Sequence, residues 1–327
     1  MSAKGQGKVL ALSGGVGGAK LALGLSKCLS PKQLTIVANT ADDFEHLGLS
    51  ISPDLDTVMY TLADLSNKEL GWGLAGESWN TMSALEKLGG ETWFRLGDRD
   101  LATHLERTQR LKSGQSLTEV TSCLCDKLGV EHPVIPMTND PVRTRVKTHQ
   151  GELAFQEYFV REQCQPEVTG FYFDGLKQAK ANPLLEQALS DTELGAIIIC
   201  PSNPFVSVAP IIDLPGMREA IKASSAPVIA ISPIVAGIAI KGPTAKMMKE
   251  LDMPSTALSV AEYYGDLLDG FVLDNSDQEL QSELQDQGLS VLTTATIMKG
   301  LQDRINLAED VLAFATDLTR HQLEGSA

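Results

Sequence analysis

Val9-Leu10-Ala11-Leu12-Ser13-Gly14-Gly15-Val16-Gly17-Gly18-Ala19-Lys20 sets an unbroken apolar run against four glycines and then a helix-compatible segment. Four aliphatic residues without alternation read as a strand covered on both faces. The glycines permit a tight turn, and a helix starting behind them offers backbone N–H groups and a favourable dipole to an anion. Two well-known phosphate motifs are excluded. A dinucleotide fingerprint begun at Gly15 would need glycine where Lys20 stands, and a P-loop would need Gly-Lys-Ser/Thr where the chain has Ala19-Lys20-Leu21. Lys20, in the first helical turn, reads as a phosphate partner, with a plain surface lysine as the alternative.

The same design recurs along the chain. Leu34-Thr35-Ile36-Val37, Ile197-Ile198-Ile199-Cys200, Val228-Ile229-Ala230-Ile231, Phe271-Val272-Leu273 and Leu289-Ser290-Val291-Leu292 each run into a polar or Gly/Pro turn. Helical patterns lie between them at 19–29, 216–224, 245–251, 260–268 and 277–287. This alternation predicts a doubly wound, mostly parallel, Rossmann-like α/β sheet of about six strands. Two stretches depart from it. The segment 70–128 holds Trp72, Trp79 and Trp93 with helical periodicity, which predicts a helical subdomain. Alternating residues at 143–149 and 153–159, joined through Gln150-Gly151, predict a small antiparallel β insertion. The expected organisation is a nucleotide-binding first half over 1–66, the helical subdomain over 67–135, the insertion over 136–178 and the second half of the core over 179–327.

Composition narrows the function classes. The chain has 327 residues, 43% hydrophobic, and sets 27 Lys and Arg against 42 Asp and Glu, for a formal net charge of −15. Such acidity argues against binding nucleic acid or an anionic membrane surface by bulk electrostatics. A small phosphorylated ligand can still be held locally by backbone N–H groups and a cation. The longest apolar run, 226–240, is broken by Pro227, Pro233 and Gly237 and is shorter than the ~20 residues of a membrane span. The polar N-terminal residues show no secretory pattern. Cys28, Cys123, Cys125, Cys164 and Cys200 are odd in number and scattered, and read as reduced thiols of a cytoplasmic protein. The five histidines have no metal-ligand spacing and read as structural or surface residues.

Candidate chemistry gathers in short polar segments after the strands. Asp42 and Asp43 close Asn39-Thr40-Ala41-Asp42-Asp43, where the loops of an open α/β sheet converge on a ligand crevice. Hard oxygen ligands beside an anion loop suggest Mg²⁺, with a helix cap as the alternative. In Ser52-Pro53-Asp54-Leu55-Asp56-Thr57 the two aspartates are two apart, so on an extended segment both point one way; a helix cap is the alternative for Asp56. Leu96-Gly97-Asp98-Arg99-Asp100, preceded by Arg95, is a charged loop. Thr138-Asn139-Asp140-Pro141 and Pro201-Ser202-Asn203-Pro204 are polar turns that could hydrogen-bond a base or ribose, or serve only as turns.

These segments, in this order and spanning nearly the whole chain, resemble the 2-phospho-L-lactate transferase family of coenzyme F420 biosynthesis. The Ser-Pro-Asp-Leu-Asp-Thr and Leu-Gly-Asp-Arg-Asp segments carry the specificity of the match. The resemblance implies an Mg²⁺-dependent transferase, expected as a homodimer. It would move a phosphorylated three-carbon acid from a GTP-derived, guanosine-diphosphate-linked donor to the deazaflavin Fo and release GMP. On that resemblance Asp56 and Arg95 contact the deazaflavin. Gly14, Gly15, Gly17, Gly18, Lys20, Ser202 and Asn203 hold the guanine nucleotide. Mg²⁺ sits near Asp42, Asp43 and Asp54, and catalysis falls to Asp56, Asp42 and Asp43. Val16 stands where relatives often carry Thr, so one hydroxyl contact to phosphate is missing. The rival expectation is a non-catalytic, nucleotide-sugar-binding regulator of the related gluconeogenesis-factor family, which has a similar glycine loop.

Overall fold

A computed structural model describes residues 7–69, 71–240 and 242–325. The polar start of the chain, read above for a targeting signal, lies outside them up to residue 6, as do the side chains from residue 321 onward, His321 among them. Seven parallel strands form the central sheet: β1 (Lys8–Ser13), β2 (Leu34–Ala38), β3 (Val134–Pro136), β4 (Leu194–Ile199), β5 (Val228–Ile231), β6 (Gly270–Asp274) and β7 (Ser290–Thr294). Their spatial order is β7-β6-β5-β4-β1-β2-β3. The chain builds outward from β1 on one side, then crosses and builds outward on the other, so the order reverses between β1 and β4. All six strands expected from the sequence are present. The seventh, β3, is only Val134-Ile135-Pro136 and pairs with β2 at the edge.

Continuous apolar strands are buried on both faces, as their composition requires. Leu10 and Leu12 of β1 join one core cluster while Val9 and Ala11 join the other. The second cluster is completed by helices α1 (Gly15–Cys28), α2 (Pro53–Leu62) and, in part, α5 (Leu117–Leu128), together with the C-terminal helix Leu301–Gly325. That last helix is not among the helical patterns picked out above, yet it buries Leu307, Ala308, Val311, Leu312, Ala315 and Leu318. It approaches α1 closely enough that a Cβ at Gly24 would run into the Arg304 carbonyl.

The helical region comprises α3 (Asn80–Lys87), α4 (Asp98–Lys112) and α5. The start of α4 and the start of α3 are capped reciprocally. Asp98 accepts from the Asn80 and Thr81 N–H groups at 3.0 Å each. Glu77 in turn accepts from the Arg99 and Asp100 N–H groups at 2.9 and 2.8 Å. The charged Leu-Gly-Asp-Arg-Asp segment is therefore a helix start. The antiparallel insertion is present as Arg143–Thr148, Gly151–Ala154 and Val168–Asp174. Its second strand is shorter than the alternation to residue 159 suggests, because Glu157–Arg161 turns helical. Val146 and Val168 deliver it onto the first core cluster.

Candidate functional site

Register brings the ends of β1, β2 and β4 level: Leu12 pairs with Val37 on one side and with Ile199 on the other. The segments that follow these strands are thus neighbours at the point where strand order reverses, the usual ligand crevice of such sheets. After β1 the chain turns at Gly14 and enters α1 at once. The helix begins at Gly15, four residues earlier than its periodicity suggests, so the glycines form its first turn. Gly15 takes φ +63°, which an L side chain rarely adopts. Gly17 faces the post-β4 turn so closely that a Cβ would collide with the Pro201 carbonyl oxygen, and a Cβ on Gly18 would meet the Ser13 and Ser202 hydroxyls. Ser202 Oγ accepts the Gly14 N–H at 3.2 Å. Asn203 has a local role: its Oδ1 accepts the Phe205 N–H at 2.9 Å, starting the helical stretch Pro204–Val208.

Asp54 and Asp56 are not on an extended segment. Pro53 takes the first helical position, where its missing N–H costs nothing, and both aspartates lie in the first turn of α2. Two residues apart on a helix they face differently. Asp54 turns to the glycines. Its Oδ1 accepts the Gly15 N–H at 2.8 Å and its Oδ2 accepts from Asn39 Nδ2 at 3.0 Å. The chain's own carboxylate thus occupies part of the glycine turn. Asp42 stands beside it and Asp43 beside Asp42, each with a buried Oδ1 that has no hydrogen-bond partner among the described residues. The other oxygen of Asp43 accepts from Ser52 Oγ at 2.7 Å.

Three crowded carboxyls out of water resist ionisation. Burial pushes Asp43 up to about 7 and Asp54 up to about 6. Asp42 is raised well above the ordinary carboxylate range, by burial first and then by the charges of Asp54 and Asp43. A cavity of about 180 Å³ opens against Asp43, lined also by Thr40, Ser52, Asn139, Asp140 and Arg143 among others, but not by Asp42 or Asp54. Asn139 and Asp140, proposed for base or ribose contacts, spend their side-chain oxygens locally, on Thr118 N–H and Lys180 N–H.

Asp56 is paired instead with a cation, although Asp43 also feels the charges of Asp56 and Arg107. Both oxygens of Asp56 are held by Arg107 of α4, Oδ2 by Nη1 at 3.1 Å and Oδ1 by Nη2. Arg107 Nη1 also lies 3.1 Å from His104 Nδ1. The network continues to Asp100, whose Oδ1 is 3.3 Å from His104 Nε2 and accepts from Tyr60 at 2.7 Å. Burial works against the Arg107 charge, but Asp56 more than offsets it and holds the guanidinium protonated. Arg95 is elsewhere and exposed, its guanidinium 4.4 Å above the Trp79 ring. Lys20 directs its Nζ to the Met298 carbonyl at 3.1 Å rather than into the glycine turn. Sequence reasoning passed over Asn39, Ser52, Tyr60, His104, Arg107 and Arg143. Its one signal for the buried network was the i, i+4, i+7 spacing of Asp100, His104 and Arg107 on α4.

The reversed strand order, with a glycine turn and acidic side chains at its crevice, makes this an α/β protein of the doubly wound, ligand-binding class. The chain belongs to the 2-phospho-L-lactate transferase CofD family, whose model matches residues 9–304. It is 37% identical to a phosphoenolpyruvate transferase of Kitasatospora aureofaciens, over 96% of this chain and 99% of that protein. It is also 37% identical to a 2-phospho-L-lactate transferase of Methanosarcina mazei, over 93% of this chain and 99% of that one. The fold is similar to a UPF0052-family protein of Bacillus halodurans, with a TM-score of 0.58 and 16% identity, covering 94% of this chain and 99% of that chain. Among the described residues no helix is long and apolar enough to cross a membrane.

Proposed function

We propose that the chain transfers a phosphorylated three-carbon acid (2-phospho-L-lactate, phosphoenolpyruvate or phosphoglycerate) from a guanosine-diphosphate-linked donor to the deazaflavin Fo, releasing GMP, in coenzyme F420 biosynthesis. A hydroxyl of the acceptor forms a bond to the phosphorus bearing the acid, the bond from that phosphorus to GMP breaks, and the hydroxyl proton passes to the protein. The observation that carries this reading is the group of buried, partnerless carboxylate oxygens beside the glycine turn at the strand-order reversal.

The donor atoms fit a magnesium ion. Among the described residues no three His, Cys, Asp or Glu side chains form a ready ligand set. Mg²⁺, however, is commonly held by one or two carboxylates plus water and phosphate oxygens. Asp42 and Asp54, each raising the other's cost of ionising, would hold it. Bound there, the ion would neutralise charge on the transferring phosphoryl group.

The remaining roles fall to the chain's own groups. The Gly15 N–H, released by Asp54, and the amides that follow it in the first turn of α1 would receive donor phosphate. Ser202 and Asn203 close the opposite side of that turn. Asp43, on the cavity wall with a carboxyl near 7, is matched to accepting a proton at neutral pH. Asp56, with both oxygens engaged by Arg107, acts by position, with Arg95 as the second acceptor contact. A cytoplasmic homodimer completes the reading. The test offers the purified chain Fo, Mg²⁺ and each of the three donors in turn, with products identified by mass. A deazaflavin bearing one phospho-acid, formed together with GMP, supports the proposal; failure with all three donors overturns it.

A further inference from the structure

A second cavity, of about 120 Å³, lies between α1, α2, the segment around Trp72 and the first turn of the C-terminal helix. Its wall carries Lys20, Lys68, Lys299 and Arg304, in a chain whose net charge is −15. No carboxylate lines it, although two lie behind its wall and answer part of its charge. Asp64 pairs with Lys68 at 2.8 Å, and Asp303 accepts the Lys299 and Gly300 N–H groups at 2.9 and 2.7 Å. Arg304 is half-buried, and its Nε is buried with no hydrogen-bond partner among the described residues. Burial pushes its pKa down despite Asp64 and Asp303, so this guanidinium carries an incompletely compensated charge. Trp72, 43% exposed, also lines the cavity, its ring set edge-on to Trp79 at 6.1 Å.

With Lys68 answered by Asp64 and Lys20 turned to the Met298 carbonyl, Lys299 and the buried leftover donor of Arg304 give the small polar cavity its surplus positive character, which suits an oxyanion. We propose that this cavity is an oxyanion site that takes the phosphate or carboxylate group of a small ligand. Its size matches such a group rather than a whole nucleotide, and none of Asp42, Asp43, Asp54 or Ser202 lines it. The assignment rests on the cationic wall and does not depend on the transferase reading. Two sources share this chemistry: free phosphate, and a phosphorylated three-carbon acid.

The test titrates the full chain with inorganic phosphate and, separately, with 3-phosphoglycerate, following the indole N–H resonance of Trp72, assigned with Trp72→Phe. Both anions are expected to shift that resonance. Tighter binding of 3-phosphoglycerate identifies a phospho-acid site, and equal affinity a phosphate site. Arg304→Met should weaken binding about tenfold, as loss of a charged hydrogen bond does. The double variant Lys68→Met/Lys299→Met changes two exposed side chains, so it should fold normally and weaken binding severalfold. An unmoved Trp72 resonance, or undiminished binding in the folded double variant, overturns the proposal.

Discussion

Asp54 and Asp56 share the first turn of one helix, yet their surroundings are opposites. Asp56 meets a guanidinium that engages both its oxygens and continues into His104, Asp100 and Tyr60. Asp54 meets the carboxyl of Asp42, which also feels Asp43, and one oxygen of each of Asp42 and Asp43 has no partner among the described residues. A buried charge that is fully paired holds its place, and here it ties α2 to α4 and fixes where Asp56 stands. A buried charge kept among like charges is tolerated only where something else completes it. This difference distinguishes two aspartates of one helix turn more sharply than their residue type does.

The largest effect should come from breaking the paired side. Arg107→Met leaves Asp56 buried without its partner and should cost about 3–5 kcal/mol in urea unfolding. A loss below about 1 kcal/mol would mean that the pair contributes little. Next in size among substitutions is Gly17→Ala, which drives a methyl into the Pro201 carbonyl. Overpacking of this kind costs about 1–3 kcal/mol of stability, and the displaced turn should bind GDP more weakly, read by calorimetry. Unchanged affinity would remove the glycine turn from the nucleotide site.

The unpaired side should show itself through pH. Carboxyls raised to about 6 and about 7 in the folded chain contribute stability that is complete below the ordinary carboxylate pKa of about 3.9. That contribution is lost as pH rises through the folded values. Metal-free protein should therefore lose about 4 kcal/mol between pH 5 and pH 8, and Mg²⁺ should return part of it at pH 8. A metal-free stability that rises over this range would contradict the assignment. The smallest change in stability is expected for Asp54→Asn. It keeps an acceptor for the Gly15 N–H and removes a like charge, so metal-free stability should move by less than about 1 kcal/mol, while turnover falls. A loss as large as that of Arg107→Met would erase the contrast between the two aspartates.

Much of the frame was legible in the sequence because it depends on local pattern. Six strands announce themselves as unbroken apolar runs, and the glycine turn after the first locates the crevice. What escaped depends on partners distant in the chain. β3 is three residues ending in proline and becomes a strand only by pairing with β2. The capping of α3 and α4 joins Glu77 to the Arg99 and Asp100 N–H groups, and Asp98 to those of Asn80 and Thr81, about twenty positions apart. The fate of Asp56 depends on Arg107, 51 residues away on another helix. Pro53 did carry the warning that Asp54 and Asp56 lie in a helix start. The C-terminal helix was equally legible, since its buried residues keep helical spacing.

The central claim is that the glycine turn with Asp42, Asp43 and Asp54, and not the Asp56–Arg107 network, receives the nucleotide. Hydrogen–deuterium exchange with GDP and Mg²⁺, added singly and together, tests it directly. Both together should slow exchange in peptides covering 13–20 and 39–44, and leave peptides around Arg107 unchanged. Protection confined to the region of Arg107, or none at 13–20, would contradict the account.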